Sequence, residues 1–185
     1  MKQNIYDEDR IKEQLLDPEE VSNAFSLIVK EYSEQLYWQI RRLVLSHDDA
    51  NDILQDTFLK AWNNIQYFRG DAKISTWLYK IALNESLAFL NKAKAENNIS
   101  LDDEDAVIAN KLEGDSYFNG DETAVLLQKA LHSLPEKQRI VFNLKYYQEM
   151  KYEDMSDILG TSVGALKASY HLAVKKIENY FKERL

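Results

Sequence analysis

Residues 152–177 read Tyr-Glu-Asp-Met-Ser-Asp-Ile-Leu-Gly-Thr-Ser-Val-Gly-Ala-Leu-Lys-Ala-Ser-Tyr-His-Leu-Ala-Val-Lys-Lys-Ile. Met155, Ile158 and Leu159 share the inner side of a short amphipathic helix. Gly160 permits a sharp turn, and Thr161-Ser162 supplies the cap of a second helix through Ile177. This is the pattern of a helix-turn-helix. On the second helix Leu166, Tyr170, Ala173 and Ile177 recur at helical spacing and are core, which turns Gly164, Ala165, Lys167, Ala168, His171 and Lys175 outward. No acid occurs between Thr161 and Lys176, whereas Lys167, Lys175 and Lys176 make the stretch positive. Such a helix fits a major groove, its N-terminal half at base edges and its lysines on phosphate. The same geometry also serves as a plain helical corner.

Outside this stretch the composition limits the architecture. Only 5 Gly and 2 Pro occur in 185 residues, while Leu, Lys, Glu, Ala and Gln recur, so few positions suit tight hairpins and many favour helix. The expectation is an all-α chain with one modest core or two small ones. Cysteine is absent, which removes disulfides, thiolate ligands and Cys nucleophiles and fits a reducing cytoplasm. No apolar run reaches the roughly 20 residues of a membrane span. The acidic N-terminus, Met-Lys-Gln-Asn-Ile-Tyr-Asp-Glu-Asp, does not suit a signal peptide.

A net charge of -8 argues at first against a nucleic-acid partner, because phosphate binding needs Lys and Arg. The distribution reverses that inference. Residues 1–20, 21–95, 96–122 and 123–185 carry -4, +1, -8 and +3, so an acidic tail and an acidic middle mask two segments that are neutral to basic.

Four units follow: a tail at 1–17, a helical domain at 18–95, an acidic linker at 96–122 and a second domain at 123–185. Asp17-Pro18-Glu19-Glu20 reads as a helix start, and Val21, Phe25, Ile28, Val29, Tyr32, Leu36, Ile40, Leu43 and Val44 continue at helical spacing, with a break expected near Ser33. Ser46-His47-Asp48-Asp49 caps a second helix to about Ile65, in which Ile53, Leu54, Thr57, Phe58, Ala61 and Trp62 line one side. Tyr67 to Ser75 carries the domain's only Gly and reads as a loop. Ser75 or Thr76 would cap a helix from Trp77 to about Ala95, its buried side formed by Leu78, Ile81, Ala82, Phe89, Leu90 and Ala93. Periodicity fades from Glu96 to Glu122, then resumes at Val125, and Ser133-Leu134-Pro135-Glu136 starts a helix to about Tyr147.

Two further constellations carry chemistry. Asp52, Gln55 and Asp56, at i, i+3 and i+4, share a helix face suited to a basic helix of a partner; a solvated acidic face has the same pattern. A metal or general-acid pair would need a nearby His or third carboxylate. From Phe68 to Asn84, aromatics stand next to Arg69, Lys73 and Lys80, a mixture that suits unpaired bases, with rings stacking and cations holding the strand. Aromatics at a helix start equally serve a core.

Together these segments resemble the extracytoplasmic-function (ECF) group of bacterial sigma factors, in the sigma-70 family. Asp49-Ala-Asn-Asp-Ile-Leu-Gln-Asp-Thr-Phe-Leu-Lys-Ala-Trp62 resembles sigma region 2.2, and Phe68-Arg-Gly-Asp-Ala-Lys-Ile-Ser-Thr-Trp-Leu-Tyr-Lys-Ile-Ala-Leu-Asn84 resembles regions 2.3 and 2.4. Leu134-Pro-Glu-Lys-Gln-Arg-Ile-Val-Phe142 and residues 152–177 resemble region 4. The resemblance implies two small helical domains, a region 2-like bundle and a region 4-like helix-turn-helix domain, that bind core RNA polymerase and promoter DNA. It implies that Asp52, Gln55 and Asp56, with Phe58, contact the polymerase clamp helices. Phe68, Arg69, Gly70, Lys73, Ile74, Ser75 and Thr76 would hold a flipped base of the -10 element, with Trp77, Lys80 and Asn84 at the edge of the bubble. Ser162, Gly164, Ala165, Lys167, Ala168, His171 and Lys175 would meet the -35 element. An anti-sigma factor is implied as a further partner, and the linker would thread toward the polymerase cleft. Family members commonly carry Arg where Ser169, Leu172 and Val174 stand here, and Ser in place of Lys151, so fewer phosphate contacts are expected.

No catalytic residue, metal site, cofactor, small-molecule substrate or membrane insertion is expected: there is no Gly-rich phosphate loop, His pair, or nucleophile with a base. A helix-turn-helix regulator acting without polymerase would explain residues 152–177 but leave Asp52, Gln55, Asp56 and the Phe68 loop unaccounted for. A helical adaptor that binds only protein would explain the net charge and little else.

Overall fold

A computed structural model describes residues 6–68, 70–97 and 122–184. Arg69 and the greater part of the acidic linker therefore lie outside the described residues. Those described form eight α-helices and one 3-10 turn, with no strand.

The first bundle is built from α1 (Glu8–Leu15), α2 (Val21–Val44), α3 (His47–Asn63) and α4 (Ile74–Asn97), with the 3-10 turn at Ile65–Tyr67 after α3. α2 runs unbroken through Ser33, whose hydroxyl bonds back to the Val29 carbonyl and so needs no helix break. Ile28, Leu36 and Ile40 on α2 are fully enclosed by α3 and α4, which present Ala50, Ile53, Ala61, Ile74, Leu78 and Ala82. Truncating any one of the larger of these would cost about 2–5 kcal/mol. α2 ends where Leu45 turns into the left-handed region at φ 63°, and Ser46 restarts the chain, its Oγ accepting the Asp49 N–H at 3.3 Å.

The segment read as an N-terminal tail contains a helix that belongs to this bundle. Asp7 caps α1, and Ile11 and Leu15 enter the core. The Tyr6 hydroxyl meets that of Tyr32 at 3.3 Å with the rings edge to face. Burial, reinforced by this contact, raises the Tyr6 pKa, and burial pushes the Tyr79 hydroxyl up to about 12. A tyrosine whose folded pKa lies above its unfolded value contributes fully below about pH 10 and loses that contribution as pH climbs through the folded value. The melting temperature is therefore expected to fall between pH 10 and 12, and to fall less steeply in Tyr79→Phe. Calorimetry across that range checks this.

The second bundle comprises α5 (Glu122–His132), α6 (Glu136–Tyr146), α7 (Tyr152–Leu159) and α8 (Val163–Lys182). α8 runs five residues past the expected Ile177, because Tyr180 and Phe181 continue the apolar side onto the cluster of Ala130, Leu131, Leu134 and Phe142. The two bundles touch where α6 lies against α2 and α7 against α4. The Arg42 guanidinium sits 3.9 Å from the centre of the Tyr147 ring, beside a cavity of about 230 Å³ lined by Trp38, Arg41, Gln128 and Tyr146. No described helix is long and apolar enough to cross a membrane.

Candidate polymerase and promoter surfaces

Three sets of side chains remain exposed on this scaffold. On α3, the inward residues Ala50, Ile53, Thr57 and Ala61 fix the rotation of the helix, so Asp52, Gln55 and Asp56 face solvent. None of their side chains takes part in a hydrogen bond or ion pair among the described residues. Phe58 is not on this face: it is half-buried, with its ring edge-on to Phe25 at 6.4 Å. Leu59 is, at 60% exposed, one turn beyond Gln55 and Asp56. The sequence reading passed over Leu59; its signal was an apolar residue in phase with the acids. Among the described residues no group of three His, Asp or Glu side chains converges as a metal site would require.

The second set surrounds the α3–α4 connection, and here the structure divides the expected residues. Phe68 is only 7% exposed, lies tilted against Trp77 with ring centres 4.9 Å apart, and with the fully buried Ile74 supports the loop from beneath. Gly70, at φ 77°, needs the conformational freedom of glycine to turn the chain between them. Lys73 is exposed, while Ser75 and Thr76 are half-buried. On α4, Trp77 is partly exposed, and Lys80 and Asn84 follow at i+3 and i+7 on the same face, both exposed. Tyr67, which precedes Phe68 in the chain, is 70% exposed, and the sequence reading did not count it among the candidates.

α4 starts earlier than the Ser75 or Thr76 caps suggested. Lys73 is the cap position, its carbonyl accepting the Trp77 N–H at 3.1 Å. The Ile74 N–H, left without a partner by the helix, donates to Glu8 Oε1 of α1 at 3.0 Å. A cap delivered from 66 residues away has no local sequence signal.

The third set is the helix-turn-helix. α7 ends at Gly160, φ 60°, and α8 starts at Ser162, whose Oγ accepts the Ala165 N–H at 3.3 Å. Met155, Leu166 and Ala173 are buried, and Ser162, Gly164, Ala165, Lys167, Ala168, His171 and Lys175 are all exposed. The Lys167 ammonium lies 5.6 Å from the centre of the Tyr152 ring, with Lys145 at 5.0 Å on the same ring. Lys145 thus joins the positive face, a neighbour that only the tertiary fold brings there.

A helical bundle followed by a helix-turn-helix domain, with an acidic helix face on one and a cationic recognition helix on the other, defines a DNA-binding factor that also docks on protein. Comparison with known proteins sharpens the class. The family model for Sigma-70 region 2 matches residues 28–96, and that for Sigma-70 region 4 matches residues 124–177. The ECF RNA polymerase sigma factor SigW of Bacillus subtilis is 30% identical over 157 residues, spanning 80% of this chain and 84% of its own length. The ECF RNA polymerase sigma-E factor of Haemophilus influenzae is 28% identical over 164 residues, spanning 84% and 86%. The fold is similar to that of the sigma factor RpoE of Bartonella quintana, solved in complex with the anti-sigma factor NepR, with a TM-score of 0.68 over 87% of this chain and 98% of that one, at 23% identity. The chain belongs to the ECF group of RNA polymerase sigma factors. As such it directs RNA polymerase to promoters and supports initiation there.

Proposed function

We propose a division of that work among the three exposed sets. Asp52, Gln55 and Asp56, extended by Leu59, form the surface that meets a basic helix of the polymerase clamp. The loop at 68–76 holds a base flipped out of the -10 element, and Trp77, Lys80 and Asn84 follow the strand at the edge of the bubble. Base extrusion is favoured when the loop and an aromatic face give the base contacts that the closed duplex lacks. The N-terminal half of α8 reads the -35 element. The observation that carries this reading is the bare acidic face of α3: an operator-binding regulator has no use for it, whereas a subunit that must dock on polymerase does.

The chain performs no covalent chemistry itself; polymerase is the enzyme, and the work is done in the cytoplasm. An anti-sigma factor that covers these surfaces is a fitting regulator, supported by the fold's likeness to a sigma factor solved with one.

Photocrosslinkers placed at residues 56, 77 and 168 of the assembled holoenzyme on a promoter test the assignment. Residue 56 is expected to label the largest polymerase subunit, residue 77 the non-template strand at -10, and residue 168 the -35 duplex. Labelling of DNA from residue 56, or none from 168, contradicts it. If Lys167 and Lys175 each neutralise one phosphate, replacing both by alanine lowers the slope of log K against log salt by about 2, measured for holoenzyme binding to a closed promoter.

A further inference from the structure

Glu8 stands outside every motif, yet it ties α1 by a hydrogen bond to the loop that carries promoter recognition in the reading above. Its Oε1 accepts the Ile74 N–H at 3.0 Å and also lies 3.4 Å from Lys12 Nζ, one turn along α1. Lys12 in turn places its Cδ 4.0 Å from the position a Cβ would take on Gly70. The loop is thus held at two points: Phe68 packs on Trp77 at its start, and Ile74 is tied to Glu8 at its end, with the Lys12 stem passing near Gly70 between them. The first lies within the hairpin of α3 and α4, and the second comes from α1.

The Ile74 amide is the first N–H of α4, and the positive end of the helix dipole lies there. A carboxylate accepting it makes a charge-assisted hydrogen bond, stronger than a neutral one. α1 can apply this restraint because it is itself fixed: Asp7 caps it, accepting the N–H groups of Asp9 and Arg10, and Ile11 and Leu15 are buried in the bundle. The stretch from Gly70 to Lys73 has little core contact of its own, since Asp71, Ala72 and Lys73 are all exposed. A base-holding loop gains most from restraint, because disorder left in the free loop must be removed when the base binds.

We propose that Glu8 is a positioning residue for promoter opening, its carboxylate holding the start of α4 and thereby the loop at 68–76 in the shape that accepts an unpaired base. This rests on the assignment of that loop to the -10 element. It makes α1 a working part of the promoter-melting surface.

The test uses holoenzyme assembled from the full chain and core RNA polymerase, on the promoter that the unaltered holoenzyme selects from a random library. Opening is followed by fluorescence of 2-aminopurine in the -10 element. Discrimination is the ratio of opening rates on the selected promoter and on one with the extruded base changed. Glu8→Asp keeps the charge on the first turn of α1 but is one methylene too short to reach, and Glu8→Gln keeps both reach and an acceptor oxygen. Glu8→Asp and Glu8→Ala are expected to slow opening about tenfold and lower discrimination by a similar factor. Glu8→Gln, which keeps the reach but gives up the charge-assisted part of the bond, should fall between them and the unaltered protein, and core affinity should be unchanged in all three. A loss of fold alone would reduce the active fraction and leave the discrimination ratio unmoved.

Unaltered opening and discrimination in Glu8→Asp and Glu8→Ala would overturn the proposal, as would a Glu8→Gln defect equal to theirs. Lys73→Ala and Trp77→Ala, run in parallel, separate the two levels. If they lose discrimination while Glu8→Asp keeps it, only the role of Glu8 falls. If they too keep it, the loop assignment fails and takes the role of Glu8 with it.

Discussion

Replacing Asp52, Gln55 and Asp56 together by alanine is expected to weaken binding to core RNA polymerase by about a hundredfold or more, with both bundles still folded. The three side chains are exposed and take part in no side-chain hydrogen bond or ion pair among the described residues, so their removal leaves no buried group unsatisfied. Alanine is also the better helix former at such positions. Any loss is then a loss of intermolecular contact. Truncating one partner of a charge pair that becomes desolvated in an interface costs about 2–5 kcal/mol, and two carboxylates are lost at once. Fluorescence anisotropy of labelled protein against core polymerase measures the affinity, and circular dichroism the fold. The loss should shrink only modestly as salt is added, because pairs desolvated in an interface are screened much less than exposed charges. Leu59→Ala alone should give a smaller loss that does not depend on salt. Full affinity in the triple variant would remove α3 from the interface.

Trp77→Ala carries the second large effect, a slowing of promoter opening of ten- to a hundredfold. Loss of an aromatic platform costs about 1–3 kcal/mol per stacked base. Trp77 also clamps Phe68 at 4.9 Å, so truncation loosens the loop at its start as well as baring the strand. The two contributions separate in Trp77→Phe, which restores a ring against Phe68 while offering a smaller stacking face, and is expected to recover part of the rate. Binding to closed promoter should change little in either variant. A template already unpaired across the -10 element should recover most of the Trp77→Ala loss, since the extrusion step is then bypassed. An equal defect on closed and unpaired templates would place Trp77 in the core alone.

These surfaces are legible in the sequence to the extent that their determinants are local. Gly160 and Ser162 act within their own turn, and so the turn and the outward side of α8 were legible, although its C-terminal extension past Ile177 was not. The acidic face of α3 was legible because helical phase alone places Asp52, Gln55 and Asp56 together. The same phase put Phe58 on the apolar side with Ile53, Thr57 and Ala61, whereas the family resemblance grouped it with the acids. It borders the acids in sequence, but Phe25 on α2 offers its ring a partner and draws it inward.

The loop was only half legible. Its glycine and its mixture of rings and cations marked a connection, but nothing local showed that Phe68 and Ile74 would be buried, or that α4 would begin at Ile74. That start depends on Glu8, which sits in a helix of eight residues with two buried side chains, too short for periodicity to announce. The same short pattern let residues 1–17 pass as a tail. The contact of Arg42 with Tyr147 between the bundles is likewise a product of tertiary packing, with no trace in either helix alone.

The central claim is that this chain gives RNA polymerase its promoter choice, with α3 as its handle on the enzyme and the α4 loop and α8 as its readers. The most direct measurement adds the protein to core RNA polymerase on a random promoter library and sequences the transcript starts, beside the Asp52/Gln55/Asp56 alanine variant. The account predicts initiation from a narrow set of sites sharing spaced -10 and -35 elements with the unaltered protein, and none above background with the variant. Folded protein that neither binds core nor initiates, yet still binds selected duplexes by itself, would contradict it.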